Sequence, residues 1–143
     1  MMIKRMPSAL FLFFFLLINA CQTISPFSQI AYEQAVSLKV DSLALMAKAT
    51  EPFDRHEKEI EDVLRRVDKA FEYAKGRPSN EISARQWEIL KDPKRNLLGG
   101  FVARWKEKDV LSEALIVGAQ GQVEKAFDAI IGLESGKSKG TEP

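Results

Sequence analysis

Apolar residues recur every three or four positions through most of the chain after residue 27, which is the period of an α-helix. The pattern is clearest between residues 51 and 75, where the apolar side chains form one face: Phe53, Ile60, Val63, Leu64, Val67, Phe71 and Ala74. Runs of alternating β-branched residues and the Asn-Gly or Asp-Gly dipeptides of tight hairpins are absent from the sequence. The sequence therefore predicts an all-α protein.

Residues that start and stop helices divide this pattern into separate elements. We predict helices over about 27–48, 51–75, 84–90, 97–108 and 112–133, with Ser83 as the cap of the helix over 84–90 and Ser112 as the start of the last helix. The signature at Thr50-Glu51-Pro52 has two interpretations, the start of a second helix near Glu51 or a kink in one long helix. Three long helices and one or two short ones would form a small bundle over residues 29–133. Residues 134–143 are predicted to form a disordered tail.

The first 20 residues differ from the rest of the chain. Lys4 and Arg5 precede an uninterrupted apolar run over residues 9–18. A run of this length is too short to span a bilayer, which takes about 20 apolar residues, but it suits the hydrophobic core of an export signal. The sequence Ile18-Asn19-Ala20-Cys21 follows directly.

Residues 18–21 resemble the lipobox of bacterial lipoproteins, in which an aliphatic residue and a small residue precede a modified cysteine. Ile18, Ala20 and Cys21 match this motif, whereas Asn19 stands where a small or hydroxyl residue is commoner. The resemblance covers residues 1–21 only. It implies a signal peptide over residues 1–20, a diacylglycerol on the Cys21 sulfur and usually an acyl chain on its amine, so that several chains hold the protein at a membrane.

The resemblance also implies a location in the bacterial cell envelope. Gln22 occupies the position where an aspartate would favour the inner membrane, which implies anchoring at the outer membrane, facing the periplasm. Residues 22–28 would form a short tether with a reach of about 23 Å. An ordinary secretory signal followed by a free thiol, or an uncleaved membrane anchor, are the alternatives to this interpretation.

Charge and cysteine content narrow the function classes. Without Lys4 and Arg5, the 21 basic side chains become 19, against 20 acidic ones. A nearly neutral domain gives no indication of nucleic acid as a partner. Cys21 is the only cysteine, so the domain has no internal disulfide and its stability depends on packing.

Three polar residues fall on apolar helix faces and form a candidate buried polar site: Tyr32, Lys39 and His56. The apolar arc of the first helix covers about 220°, so this helix is expected to be central and flanked by two others. Lys39 lies near the middle of that arc and needs a carboxylate or carbonyl partner, or a lowered pKa. A structural ion pair is the simpler interpretation of Lys39, and a ligand-binding lysine is the alternative. His56, the only histidine, is expected at the edge of the core with a hydrogen bond.

A candidate interaction surface is predicted from aromatic and basic residues interleaved between positions 87 and 105, together with two helical glycines: Trp87, Arg95, Phe101, Arg104, Trp105, Gly118 and Gly121. Alternatively, the tryptophans close one end of the bundle while the charged groups stay in water. A glycine inside a helix costs about 1 kcal/mol relative to alanine. Close approach of the first helix, or of a second protein, would explain both glycines.

Catalytic signatures are absent from the sequence, which has no Gly-x-Ser-x-Gly motif, no unmodified cysteine nucleophile and no paired metal ligands. We therefore expect a protein without enzymatic activity, cofactor or metal. The favoured hypothesis is a lipid-anchored envelope protein that docks on another envelope protein, with immunity or exclusion against a toxin or phage as a special case. The alternative is a periplasmic module that binds a small ligand in a cavity between the long helices.

Overall fold

The computed structural model describes residues 24–137, so Cys21, the predicted export signal over residues 1–20 and residues 138–143 lie outside the described residues. Within these residues five α-helices follow one another: α1 Gln29–Ala47, α2 Glu57–Gly76, α3 Glu81–Lys91, α4 Leu98–Lys108 and α5 Glu113–Ser135. Two short 3-10 turns, Lys48–Thr50 and Phe53–Arg55, lie between α1 and α2. No strand occurs within residues 24–137, and the predicted all-α class is confirmed.

The helices pack as a bundle around one apolar core. α1 contacts α5 and α2, and α3 packs against α2 and α5, so α1 is flanked by two helices as its apolar pattern predicts. All five helices contribute to the most deeply buried large apolar side chains: Leu38, Leu45, Met46, Ile60, Leu90, Leu98, Trp105, Phe127 and Ile130.

Different segments of the chain form the two ends of the bundle. The chain enters at one end, where the Ser25 amide donates to the Ser79 carbonyl in the loop between α2 and α3 (2.9 Å). We call this the tether end, and it holds the starts of α1 and α3 and the final turns of α2 and α5. At the opposite end, which we call the α4 end, the Leu111 amide donates to the Ala49 carbonyl (2.8 Å) and joins the start of α5 to the last turn after α1.

α2 begins six residues later than predicted, because tertiary contacts hold residues 51–55 out of the helix. The Phe53 amide donates to both the main-chain carbonyl and the carboxylate of Asp109, each at 3.0 Å. The Trp105 indole donates to the Glu51 carbonyl (3.0 Å). These bonds come from the far end of α4, and a search for local capping residues cannot detect them.

The ordered domain is longer than the predicted range of 29–133. Ser25 is buried, α5 continues to Ser135, and Lys137 is buried against the bundle. The prediction of a disordered tail is therefore wrong for residues 134–137, since Glu134 and Lys137 take part in buried ion pairs. The fold therefore begins at Ser25, inside the range predicted for the tether.

Candidate interaction groove between α4 and α5

A groove of about 300 Å³ lies between α4 and the first half of α5, at the α4 end of the bundle. Apolar and small residues dominate its lining: Asn96, Leu97, Gly100, Phe101, Arg104, Ala114, Leu115, Gly118, Ala119 and Gln122. Arg104 is the only charged residue among them, and no acidic residue lines the groove.

Two glycines in the first turn of α4 allow this helix to pack closely against the backbone that precedes it. A Cβ atom added to Gly99 would overlap the Lys91 carbonyl, and one added to Gly100 would overlap the Arg95 carbonyl. Only glycine allows the backbone of α4 to start directly against the residues that follow α3. The glycine pair therefore sets the position from which Phe101 and Arg104 face α5.

Arg104 differs from Arg66 and Arg85 in having no acidic partner among the described residues. It is exposed, and among residues 24–137 its guanidinium has no ion-pair or hydrogen-bond partner. By contrast, Arg66 pairs with Asp41 (2.7 Å) and Arg85 with Glu88 (2.9 Å). An unpaired guanidinium beside apolar side chains is suited to bind a carboxylate through two parallel hydrogen bonds.

Both tryptophans of the predicted interaction surface belong to the core. Trp105 is fully buried and Trp87 is 3% exposed. The Trp105 indole donates to the carbonyls of Glu51 and Asp109, both at 3.0 Å, while Trp87 packs edge-on against Phe127, with ring centres 5.9 Å apart. The exposed patch expected around them does not form, because each indole fills the space between helices.

The other residues of that surface divide between two places. Phe101, Arg104 and Gly118 come together in the groove, although the Phe101 ring is itself mostly buried. Arg95 lines a separate depression formed by residues at the end of α3 and the loop after it. Gly121 lies one turn beyond Gly118 on α5 and does not line the groove.

Gly118 and Gly121 are exposed, and a Cβ atom at either position would meet nothing within 4 Å. The interpretation that they allow a close approach of the first helix is therefore wrong. Close approach of a second protein stays a prediction.

Lys39 forms a surface ion pair between α1 and α5. Its ammonium lies 2.6 Å from the Asp128 carboxylate and 3.2 Å from that of Glu124, and the side chain is 22% exposed. The hydrogen bond to Asp128 raises the pKa of Lys39 above its ordinary value, with Glu124 adding to the effect and partial burial opposing it. On the same helix, Val36 and Val40 are exposed. The apolar arc overstated the burial of α1, because the two helices that contact it, α2 and α5, leave Val36 and Val40 exposed.

The three residues of the candidate buried polar site, Tyr32, Lys39 and His56, do not contact one another. Tyr32 is half-buried near the tether end, with its ring 6.3 Å from that of Phe27. His56 lies just before α2 at the opposite end, with its ring 5.6 Å from that of Trp105 and its Nε2 3.2 Å from the Glu51 carboxylate. The site does not form, because Tyr32 lies near the start of α1, Lys39 near its middle and His56 just before α2 at the opposite end of the bundle.

A buried polar network does exist, but it involves other residues. Glu134 is 1% exposed and accepts hydrogen bonds from Lys137 (2.7 Å) and Arg77 (3.0 Å). The Lys137 ammonium also donates to Asn80 and Ser83 (3.1 Å), in the loop before α3 and in its first turn. Burial by itself would raise the pKa of Glu134, but the hydrogen bonds from Lys137, Ser83 and Arg77 outweigh it and hold that pKa below its ordinary value.

This network fastens the last turn of α5 to the loop between α2 and α3. Its charged groups are paired with one another, so they leave no free group for a ligand. The only sequence signal for the network is the spacing of three between Glu134 and Lys137, and again between Asn80 and Ser83. That spacing is too common on helices to identify a buried site.

Comparison with known proteins returned no protein-family model, no curated protein and no solved structure that matches the chain. Within residues 24–137, none of the helices combines the length and apolar character required to cross a bilayer. Over the same residues, no group of three or more His, Cys, Asp or Glu side chains is placed to hold a metal ion.

Proposed function

We propose that this chain is a bacterial lipoprotein, anchored in the cell envelope through lipid on Cys21, and that its helical bundle binds a segment of another envelope protein in the groove between α4 and α5. The bundle of three long helices and two short ones is a non-enzymatic interaction module. One observation carries the proposal: an exposed Arg104, which has no partner among residues 24–137, lies in a groove whose other lining residues are uncharged.

The chemistry of the groove defines the bound segment. Leu97, Phe101 and Leu115 offer an apolar surface that favours an aliphatic or aromatic side chain. Arg104 favours a carboxylate beside it, from an acidic side chain or a chain terminus. Gly118 has no side chain, so the backbone of the segment can lie close to α5.

The position of the groove suits a partner that approaches from the side away from the membrane. The tether enters at one end of the bundle, and the groove lies at the other. Gly118 is 17 residues before the last residue of α5, which corresponds to about 26 Å along the helix. An anchor at Cys21 therefore leaves the groove open to the periplasm, and Gln22 favours the outer membrane as the site of anchoring.

Immunity or exclusion against a toxin or phage stays a special case of this proposal. The small-ligand alternative has no such support, because Tyr32, Lys39 and His56 do not share a cavity. The groove is open along one side and has a single charged group, which fits a protein segment better than an enclosed small molecule.

Photo-crosslinking in native cells tests the groove. A photoreactive residue at Gln122 should capture an envelope protein, and Arg104→Glu should reduce this capture at least tenfold because like charges then face each other. Lys58→Glu makes the same charge reversal on an exposed part of α2 and is the matched control. Restoration of capture when the acidic residue of the captured segment is changed to lysine would establish the pairing with residue 104. Capture that is equally strong in the Arg104→Glu variant would overturn the groove assignment.

The anchor has its own test. Cys21→Ser, or treatment of cells with globomycin, should accumulate the uncleaved precursor and remove the mature protein from the membrane fraction. Intact-mass analysis of protein from its native cells should show the added acyl groups on Cys21. Mature protein with a free thiol at Cys21 would show that the lipoprotein assignment is wrong.

A further inference from the structure

Three large apolar side chains are exposed at the tether end of the bundle. Ile24 is 66%, Ile30 54% and Ile82 67% exposed, and they are the only exposed isoleucines among the described residues. Ile24 precedes Ser25, Ile30 lies in the first turn of α1, and Ile82 lies in the first turn of α3. The bond from the Ser25 amide to the Ser79 carbonyl holds the starts of these segments at the same end.

The chain becomes part of the fold very soon after the proposed lipid anchor. Ser25 is 2% exposed and is hydrogen-bonded to the bundle, so the free tether ends there. Four residue steps separate Cys21 from Ser25, and a fully extended chain covers at most about 14 Å in four steps. The polar headgroup layer of a bilayer is about 5 to 7 Å thick on each side. The tether end therefore lies within reach of the headgroups whenever Cys21 is lipidated.

The buried charged groups at this end do not oppose contact with lipid, and the exposed Glu81, next to Ile82, is the acidic group in the first turn of α3. Arg77 and Lys137 both form ion pairs with Glu134 inside the fold. These ion pairs are kept when the tether end contacts a membrane surface. The Arg77 guanidinium also donates to the Pro26 carbonyl, which fastens the segment directly after the tether to the bundle. Because of this bond, the direction of the tether and the orientation of the bundle are coupled.

We propose that Ile24, Ile30 and Ile82 insert into the headgroup region of the membrane, so that the bundle stands on its tether end. This inference rests on the lipid anchor proposed above and adds the face that contacts the bilayer. Exposed isoleucines lose unfavourable contact with water when they enter the interface. The groove between α4 and α5 is then held away from the lipid, because it lies at the far end of α5, which is about 34 Å long.

Fluorescence of the mature, lipidated protein in vesicles of phosphatidylethanolamine and phosphatidylglycerol tests this orientation. A polarity-sensitive NBD label is placed on Ile82→Cys and, as the matched control, on Val117→Cys, since both side chains are 67% exposed but lie at opposite ends. The label at position 82 should shift to shorter wavelength and be quenched at least twofold more strongly by spin-labelled lipid than the label at position 117.

The outcomes separate this inference from the proposed function. Intact mass of the same sample reports whether Cys21 carries lipid, and a bare thiol would refute the lipoprotein assignment itself. Lipidated protein with equal quenching at positions 82 and 117 would overturn only the orientation.

A double variant tests the isoleucines themselves. With the label on Ser135→Cys at the tether end, Ile30→Asp combined with Ile82→Asp should reduce lipid quenching at least twofold. Val40→Asp combined with Val117→Asp is the control, because these two exposed valines lie away from that end. Quenching that is unchanged by the isoleucine variant would show that the tether alone brings the bundle to the lipid, and the inference would fail.

Discussion

Two pairs of glycines have opposite structural roles. The Cβ positions of Gly99 and Gly100 are occupied by the carbonyls of Lys91 and Arg95, whereas those of Gly118 and Gly121 point into open space. The first pair is required for the packing of α4. The second pair lowers the helix propensity of α5. No close packing around these two glycines compensates for that loss, which is consistent with a role in binding.

Alanine substitutions at these sites should therefore change stability in opposite directions. Gly121→Ala should raise the free energy of unfolding by about 0.5–1 kcal/mol, because alanine favours the helix and nothing obstructs its methyl group. Gly99→Ala should lower it by about 2–3 kcal/mol, because the backbone of α4 must move. Urea denaturation followed by circular dichroism measures both changes. A destabilised Gly121→Ala variant would indicate a contact at Gly121 that the structure does not contain.

Glu134 gives the protein a specific dependence on pH. Since its pKa is lower in the folded state than its ordinary value of 4.5, ionised Glu134 stabilises the fold above that value. The contribution is lost as the pH falls through the folded-state pKa. Glu134→Gln should therefore be about 2–3 kcal/mol less stable than the natural protein at pH 7, with a difference that shrinks below pH 4.5.

Unfolding measured between pH 3 and pH 7 checks this dependence. Glu61→Gln removes the same charge from an exposed position on α2, and it corrects for the change in net charge. A stability difference between Glu134→Gln and the natural protein that stays constant with pH would show that Glu134 contributes through packing alone.

At the level of elements, the helices begin in two different ways. Ser28 and Ser112 are N-caps whose hydroxyl groups accept from the amides of Ala31 (3.2 Å) and Leu115 (3.4 Å). No side chain caps α2 or α3. The predicted cap Ser112 is formed, because capping by serine is a local interaction. The predicted cap Ser83 is instead buried inside α3, where it bonds to Lys137.

Ser28 combines a cap with a tertiary contact, and the two can be separated. Its hydroxyl also lies 2.9 Å from the Tyr73 hydroxyl on α2. Ser28→Ala should lower the free energy of unfolding by about 1–2 kcal/mol, since the cap and the contact with Tyr73 are lost together. Tyr73→Phe removes only the contact and should cost less, as measured by thermal and urea unfolding. Equal losses in the two variants would mean that the cap contributes nothing.

In the whole molecule, the tether end is held together by residues that are distant in the chain. Glu134 pairs with Arg77, 57 positions earlier, and Arg77 in turn donates to the Pro26 carbonyl. Three segments of the chain thus meet at one buried network. The α4 end relies instead on Trp105, whose indole joins the residues before α2 to the end of α4.

Two truncations test where the folded domain ends. A chain that stops after Leu133 should be about 2–4 kcal/mol less stable than one that stops after Lys137, because Arg77 then loses its buried carboxylate partner. Both chains lack residues 138–143, so the comparison isolates the four residues 134–137. Equal stability of the two chains, measured by urea unfolding, would place the boundary at Leu133, as the sequence pattern predicts.

The sequence by itself determined the all-α class, the approximate extent of the helices and the N-cap at Ser112. These features depend on residues within one or two turns of each other, which is the range that periodicity and capping patterns report. The signal and lipobox pattern over residues 1–21 is local in the same sense, and its interpretation stays a prediction.

Only the tertiary structure decided which side chains are buried and which groups are paired. It placed Trp87 and Trp105 in the core, left Val40 and Arg104 in water, paired Lys39 with Asp128 and buried Glu134 with Arg77. A helical wheel describes one helix, but burial depends on how many other helices cover it. The groove exists for the same reason, since its walls come from two helices, α4 and α5, and backbone contacts at Gly99 and Gly100 place α4 against the residues that follow α3.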